Sequence, residues 1–441
     1  MTDSAARADH RPIPGTIHIV GAGLAGLSAA LRLAEKGRTV TLHEATTHAG
    51  GRCRSFHDAK LNCLIDNGNH LLMSGNRAAM AYLTDIGAHD RLTWPTNDAT
   101  ARFAFIDRET GERWTLAPNK GVLPFWLFDK TRRVPNTKLR DYLSGLKLLW
   151  PAKNATIADC FDEASPLYRR FWEPLAIAAI NMAPDEAAAR LLRPVLLETF
   201  ARGAEACQPL IAQHSLADTA IDPAIDRLRA LGVDIKFSNR LQRLDLEIGR
   251  VRAAIFSEER ITFGAGDRLV LAVPPAAAAN LLPGLPVPPD GEPIVNVHFG
   301  LDQMPDPALL ASNSAVGMIG IIGGFAHWVF VRERMASVTI SAGRREAALD
   351  AGTIAERAWA DVAAALNLKG APVPPFRVIK EHRATFAQSP EGLDKRPGTR
   401  TQWANLLLAG DWTDTGLPAT IESAIRSGDR AAGTLLDAAE I

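Results

Sequence analysis

A short apolar run, Ile17 to Val20, ends abruptly at Gly21, and Gly21, Gly23 and Gly26 then follow in G-x-G-x-x-G spacing. Each glycine has a task in a strand-turn-helix that receives a diphosphate. Gly21 permits the tight turn, Gly23 lacks the Cβ that would hold a pyrophosphate off the backbone, and Gly26 lets the helix pack close on the strand. The helix that follows turns Leu24, Leu27, Leu31 and Ala34 inward and Arg32, Glu35 and Lys36 outward. Gly37 stops it, Val40 to His43 read as a second strand, and Glu44 stands at that strand's end. A carboxylate there accepts hydrogen bonds from a ribose diol and repels the extra phosphate of NADP. Unpaired amides from Leu24 and Ala25 to Leu27, with the helix dipole, suit a diphosphate.

Beyond Glu44 comes Gly50-Gly51-Arg52, and the resulting E-x5-G-G-R run resembles the signature of the flavin amine oxidase and phytoene desaturase superfamily. The resemblance implies non-covalent FAD, with the Gly51 loop covering the pyrophosphate and approaching the flavin. Arg52 suits that place because its charged fork donates to phosphate oxygens. The other end of the chain carries the matching half. A strand-like run, Leu406 to Ala409, leads into Gly410-Asp411. Pro418 and Thr420 then open a helix striped by Ile421, Ala424, Ile425, Gly428, Ala431, Ala432 and Leu435. The resemblance places Asp411 at the ribityl–phosphate chain and the backbone of Leu241 at the adenine. It sets the amide of Ile421 against flavin N1 and O2, where a helix N-terminus stabilises the charge that gathers on reduction.

The fold expected is α/β, and 441 residues allow two or three domains. Residues 15–75, 209–290 and 390–441 would form a Rossmann-like FAD domain, interleaved with an α+β substrate domain of helices (76–208) on an antiparallel sheet (291–389). Within the resumed FAD domain, Asp222 to Leu231 reads as a helix, and Val233 to Phe237, Leu241 to Leu246, Val251 to Phe256 and Leu269 to Val273 as strands. Arg77 to Ile86 and Asn136 to Trp150 read as amphipathic helices. The longest apolar run, Ala315 to Val331, falls short of the roughly 20 residues a spanning helix needs. Its Gly323-Gly324 pair predicts a hairpin in a meander with Ile294 to Leu301 and Ala336 to Ala342. Residues 1–14 read as a flexible leader. Lys plus Arg and Asp plus Glu are balanced at 49 each, so no global field favours nucleic acid. Four cysteines show neither metal-ligand spacing nor disulfide density, which fits a reducing, cytoplasmic setting.

The string Asp66 to Asn76, DNGNHLLMSGN, resembles the D-N-G-x-H segment of the hydroxysqualene dehydroxylase family of hopanoid synthesis. Asp66 and Gly68 are expected to make a turn. His70 is the titratable group expected near the isoalloxazine, either as proton donor or as a packed, hydrogen-bonded histidine. Three activities compete. Amine oxidation calls for a tyrosine cage, but the chain has only Tyr82, Tyr142 and Tyr168, with Trp412 as a single candidate wall. A non-enzymatic flavin sensor would not need so large an apolar insert. Redox work on a polyisoprenoid fits that insert. The resemblance implies reductive removal of an allylic hydroxyl, with desaturation of a carotenoid precursor as the alternative. Phe125 to Phe128, bordered by Lys120, Lys130, Arg132 and Arg133, suits peripheral contact with the inner face of the cytoplasmic membrane, or an ordinary core loop.

Overall fold

A computed structural model describes residues 15–93, 100–312 and 316–437. The expected leader, 1–14, and Ala315 lie outside the described residues.

Short Val-, Ile- and Leu-rich runs buried on both faces belong in the middle of a parallel sheet. Four such strands and a more exposed edge strand, Asp234–Lys236, assemble in the order Asp234–Lys236, Val40–His43, Ile17–Val20, Arg268–Leu271 and Leu406–Leu408, every pair parallel. Neighbours in this sheet therefore come from both ends and the middle of the chain. The helix Leu24–Glu35 lies against the terminal helix Ile421–Asp437. A Cβ on Gly428 would sit 2.2 Å from the carbonyl oxygen of Ala25, so only glycine permits this crossing. Ser28 Oγ donates to Asp429 Oδ1 at 2.6 Å, and Arg32 pairs with Asp85 at 2.6 Å and Asp429 at 3.0 Å.

The second sheet has seven strands, ordered Phe376–Glu381, Ile294–Gly300, Met335–Ile340, Trp328–Arg332, Val316–Ile322, Phe103–Asp107 and Arg113–Leu116. The glycine pair does turn the long apolar run into a hairpin, Val316–Ile322 against Trp328–Arg332. Strand alternation divides the side chains. Val295, Val297, Phe299, Val329, Val338 and Ile340 pack beneath, on the helix Ala351–Ala365. Phe105, Met318 and Phe330 face the other way, into a core with Trp114, Trp126, Phe161, Phe171 and Trp172.

Three expectations need correction. The stretch 76–208 is not purely helical, because Phe103–Asp107 and Arg113–Leu116 extend the seven-stranded sheet. Phe103 to Asp107 is buried throughout, so it shows no alternation by which to recognise a strand. Its polar end, Asp107, is held by Arg170 at 3.0 Å. The expected break at 75/76 falls inside a single core, since Ala79, Tyr82, Leu83 and Leu92 pack with Leu27, Leu31 and Leu33. Residues 139–149 form a 3₁₀ helix rather than an α-helix. Three residues per turn set Leu143, Leu146 and Leu149 on one face.

Buried histidines make the fold acid-sensitive. His43 Nε2 lies 3.2 Å from His18 Nδ1 on the adjacent strand, and its ring stacks on Phe256 at 4.2 Å. Burial, then the neighbouring His18, pushes the His43 imidazole down to about 3, and burial holds His298 near 4. Both are neutral when folded but titrate near 6.5 when unfolded, so the unfolded chain binds more protons below that pH. Stability is complete above about 6.5 and is lost as pH falls, by about 1.4 kcal/mol per histidine per pH unit. The two together should cost about 3 kcal/mol at pH 5.5. Thermal melts of the apoprotein from pH 7.5 to 5.5 check this, and an unchanged midpoint would contradict it.

Candidate active site

The glycine turn has the shape of an anion cradle. Gly21 sits at φ +105°, where a Cβ would meet the Ala272 carbonyl oxygen at 2.4 Å, and a Gly26 Cβ would meet the Gly21 oxygen at 1.9 Å. Nothing lies within 4 Å of a Cβ built on Gly23. That open space lies over the start of the helix, where the amides of Leu24 and Ala25 have no acceptor within their own helix. Gly50 N–H donates to Ala22 O at 2.8 Å, which folds the second glycine motif over the first. A Gly51 Cβ would come within 3.6 Å of Gly23 Cα. Both motifs therefore border one space, where extra side-chain atoms would crowd a diphosphate.

Glu44 closes the adenosine end. Its carboxylate accepts from Ala22 N–H and Thr46 N–H, each at 2.9 Å. Its carbonyl accepts from Asn239 N–H at 2.9 Å, just before the strand Leu241–Glu247 begins. Leu241, the first residue of that strand, follows two positions later.

Arg52 joins the two ends of the chain. It donates to Ala384 O and to Asp411 Oδ1, both at 2.6 Å. The Asp411 side chain is 7% exposed and that of Arg52 41%, so the guanidinium spans from a buried acid to an open groove. Asp411 holds the Arg52 charge above its usual range against the opposing effect of burial. The carboxylate of Asp411 is therefore engaged by Arg52. Gly410, at φ +141°, donates its N–H to Ser427 Oγ at 2.7 Å. A residue not foreseen, Arg396, pins the connecting loop by donating to the carbonyls of Asp411, Trp412 and Leu417. The helix then opens at Ile421, where Thr420 Oγ1 accepts from Ser423 N–H at 3.2 Å.

His70 and Ile421 line one cavity, together with Leu72, Tyr82, Leu83 and Ile425. Burial lowers the His70 imidazole to about 4, so it is neutral at neutral pH. Its Nε2 lies 4.0 Å from Cys53 Sγ. The expected turn role of Asp66 is replaced by an anchoring one. Buried at 2% exposure, it accepts from Ser55 Oγ, from Leu216 N–H and from Arg332 at 2.7 Å.

The next residues reach the seven-stranded sheet. Asn69 Nδ2 donates to Thr339 Oγ1 at 3.0 Å, and Thr339 Oγ1 donates to Asn296 Oδ1 at 3.1 Å. Asn296 Nδ2 donates to Asn67 O at 3.4 Å, while Asn67 Nδ2 donates to Glu381 at 3.0 Å. This polar string borders the aromatic core at Trp328, which is paired with Thr339 in the sheet. Its sequence signal was available: Asn296 and His298, and Ser337 and Thr339, are polar residues two apart in otherwise apolar strands.

Among the described residues, each of the three tyrosines has its own separate partner. Tyr82 OH donates to Ala220 O at 2.9 Å, Tyr142 OH accepts from Val134 N–H at 3.1 Å, and Tyr168 packs on Phe161. Trp412 is 1% exposed and donates Nε1–H to Val273 O at 2.9 Å. It supports the cofactor loop instead of forming a wall. Among the described residues no cluster could hold a metal ion, and no helix is long and apolar enough to cross a membrane.

Residues 24–436 match the family described as flavin containing amine oxidoreductase. The chain is 45% identical over 424 residues to a hydroxysqualene dehydroxylase of Rhodopseudomonas palustris, covering 96% of this chain and 99% of the relative. It is 41% identical over 424 residues to one of Sinorhizobium fredii, again covering 96% and 99%. In structure it resembles cyclohexylamine oxidase of Brevibacterium oxydans, with TM-score 0.71, 15% identity and coverage of 97% and 100%.

Proposed function

Because the chain belongs to the flavin-containing amine oxidoreductase family and to its hydroxysqualene dehydroxylase branch, we propose that it removes the hydroxyl of hydroxysqualene reductively to give squalene. It is an FAD-dependent oxidoreductase. The observation that carries the reading is the pairing of a glycine cradle with a large aromatic core that is bordered by the Asn69–Thr339–Asn296 string. Gly21, Gly23 and Gly26 with the amides of Leu24 and Ala25 would hold the diphosphate, and Glu44 and Leu241 the adenosine. Gly51, Arg52, Gly410, Asp411 and Ile421 would hold the flavin half. When bound, reduced FAD supplies a hydride to the allylic carbon as the C–O bond breaks and the hydroxyl, with one proton, leaves as water.

The protein's own contribution is to bind, orient and keep dry. Phe105, Trp328, Phe330 and Met318 exclude water that would capture an allylic cation. The polar string offers an amide and a hydroxyl to a single alcohol, a positioning role. His70 is our candidate for the hydrogen bond on the leaving-hydroxyl side. With a value near 4 it acts through a neutral N–H, because imidazolium is scarce at pH 7. The two interleaved units divide this work, the parallel-sheet unit holding cofactor and the seven-stranded unit holding substrate. A carotenoid-type desaturation would draw on the same apolar surroundings, but no alcohol would then require the polar string.

The test is anaerobic. Reduced enzyme incubated with hydroxysqualene in deuterated buffer should yield squalene carrying one stereospecific deuterium, because the transferable hydrogen of reduced flavin exchanges with solvent. His70→Ala should slow product formation by about 100-fold or more while keeping its FAD, in the range of one acid–base group. Unlabelled squalene, or unchanged alcohol, would contradict the proposal.

A further inference from the structure

The outer layer over the aromatic core carries more exposed apolar surface than its own packing explains. Val122 (69% exposed), Leu123 (59%), Phe125 (63%) and Phe128 (71%) project from one segment. Leu143 (62%), Leu146 (55%) and Trp150 (81%) project from the 3₁₀ helix 139–149 and its end. The expected aromatic contact is thereby divided. Trp126 is buried and belongs to the core, whereas the phenylalanines on either side of it are bare. The two segments adjoin, since Trp126 meets Tyr142 edge-on at 5.9 Å. Gly145 is where the 3₁₀ helix rests on the aromatic core, as a Cβ there would lie 2.9 Å from the Trp172 ring. Trp172 in turn stacks on Phe161 at 4.6 Å.

Charge selects the partner. Residues 118–150 carry seven cations (Lys120, Lys130, Arg132, Arg133, Lys138, Arg140, Lys147) against two acids, Asp129 and Asp141, in a chain otherwise balanced. Of these, Lys120, Lys130, Lys138, Arg140 and Lys147 are exposed around the apolar residues. A second copy of the chain would bring the same excess charge and be repelled. Apolar side chains rimmed by lysines are complementary to an anionic lipid surface.

We propose that segment 121–128 and the 3₁₀ helix 139–149 together dock the protein on an anionic bilayer, from which it takes the isoprenoid directly. This rests on the dehydroxylase reading for the substrate, but not for the docking. The holoenzyme should co-sediment with phosphatidylglycerol vesicles, bind phosphatidylcholine vesicles at least ten-fold more weakly, and release as salt rises. Leu143→Ser/Leu146→Ser/Trp150→Ser should lose vesicle binding at least ten-fold while keeping its melting midpoint and flavin content. With hydroxysqualene dissolved in vesicles its turnover should fall in step, and with the alcohol in detergent micelles it should match the parent. A parent that stays in the supernatant overturns the docking assignment. So does a concentration-dependent dimer of the parent that the triple variant abolishes, which would give the face to a second copy. Vesicle binding without turnover in either medium supports the docking and counts against the reaction.

Discussion

Gly23→Val is expected to abolish FAD binding while leaving the apoprotein folded. Gly23 has φ −78° and ψ 175°, a conformation valine adopts readily. Its added carbons would point into space that holds no protein atom within 4 Å. On the reading proposed above, what they would displace is the diphosphate. FAD affinity should fall by on the order of 100-fold or more, about 3 kcal/mol, with the apoprotein melting midpoint unmoved. Gly26→Ala should behave differently, because its Cβ would lie 1.9 Å from the Gly21 carbonyl oxygen. There the turn itself must move, and stability should fall together with flavin. Retention of FAD by Gly23→Val, measured by flavin released per chain on denaturation, would mean that the diphosphate lies elsewhere.

Arg52→Ala is expected to damage both fold and cofactor binding. It removes the partner of a carboxylate that is 7% exposed and frees the Ala384 carbonyl. Breaking a buried pair from one side costs about 3–5 kcal/mol. The lower end applies here, because Arg52 is itself partly open to solvent. The melting midpoint of the apoprotein should drop by several degrees, and flavin content should fall. Asp411→Asn should cost less stability, since the amide oxygen still accepts from the guanidinium. If Arg52→Ala melted with the parent, the bridge between the chain's two ends would be incidental.

The two ends of the chain were legible in sequence because their constraints are local. A glycine fingerprint, an acid after the second strand and a strand-loop-helix near the C-terminus each act over a few residues. Their meeting at Arg52 and Asp411, 359 positions apart, is a tertiary fact. The hairpin at Gly323-Gly324 was equally legible, since positive φ at Gly323 belongs to the turn. Phe103–Asp107 was missed because a strand buried on both faces loses its alternation. The 3₁₀ helix was read as α because its apolar spacing serves an outward face and not a core. The string Asn69–Thr339–Asn296 joins three distant segments, and only its period-two polar positions hinted at it. Asp66 looked like a turn residue, but its ion pair to Arg332 comes from 266 positions away.

The reaction proposed here passes electrons from reduced flavin to a polyisoprenoid alcohol. Holoenzyme photoreduced without oxygen should return to the oxidised flavin spectrum on mixing with hydroxysqualene, with squalene appearing in equal amount. Oxidised holoenzyme should stay oxidised when mixed with primary amines. Rapid bleaching of the flavin by an amine, with no response of the reduced enzyme to the alcohol, would contradict this account and assign the chain to amine oxidation.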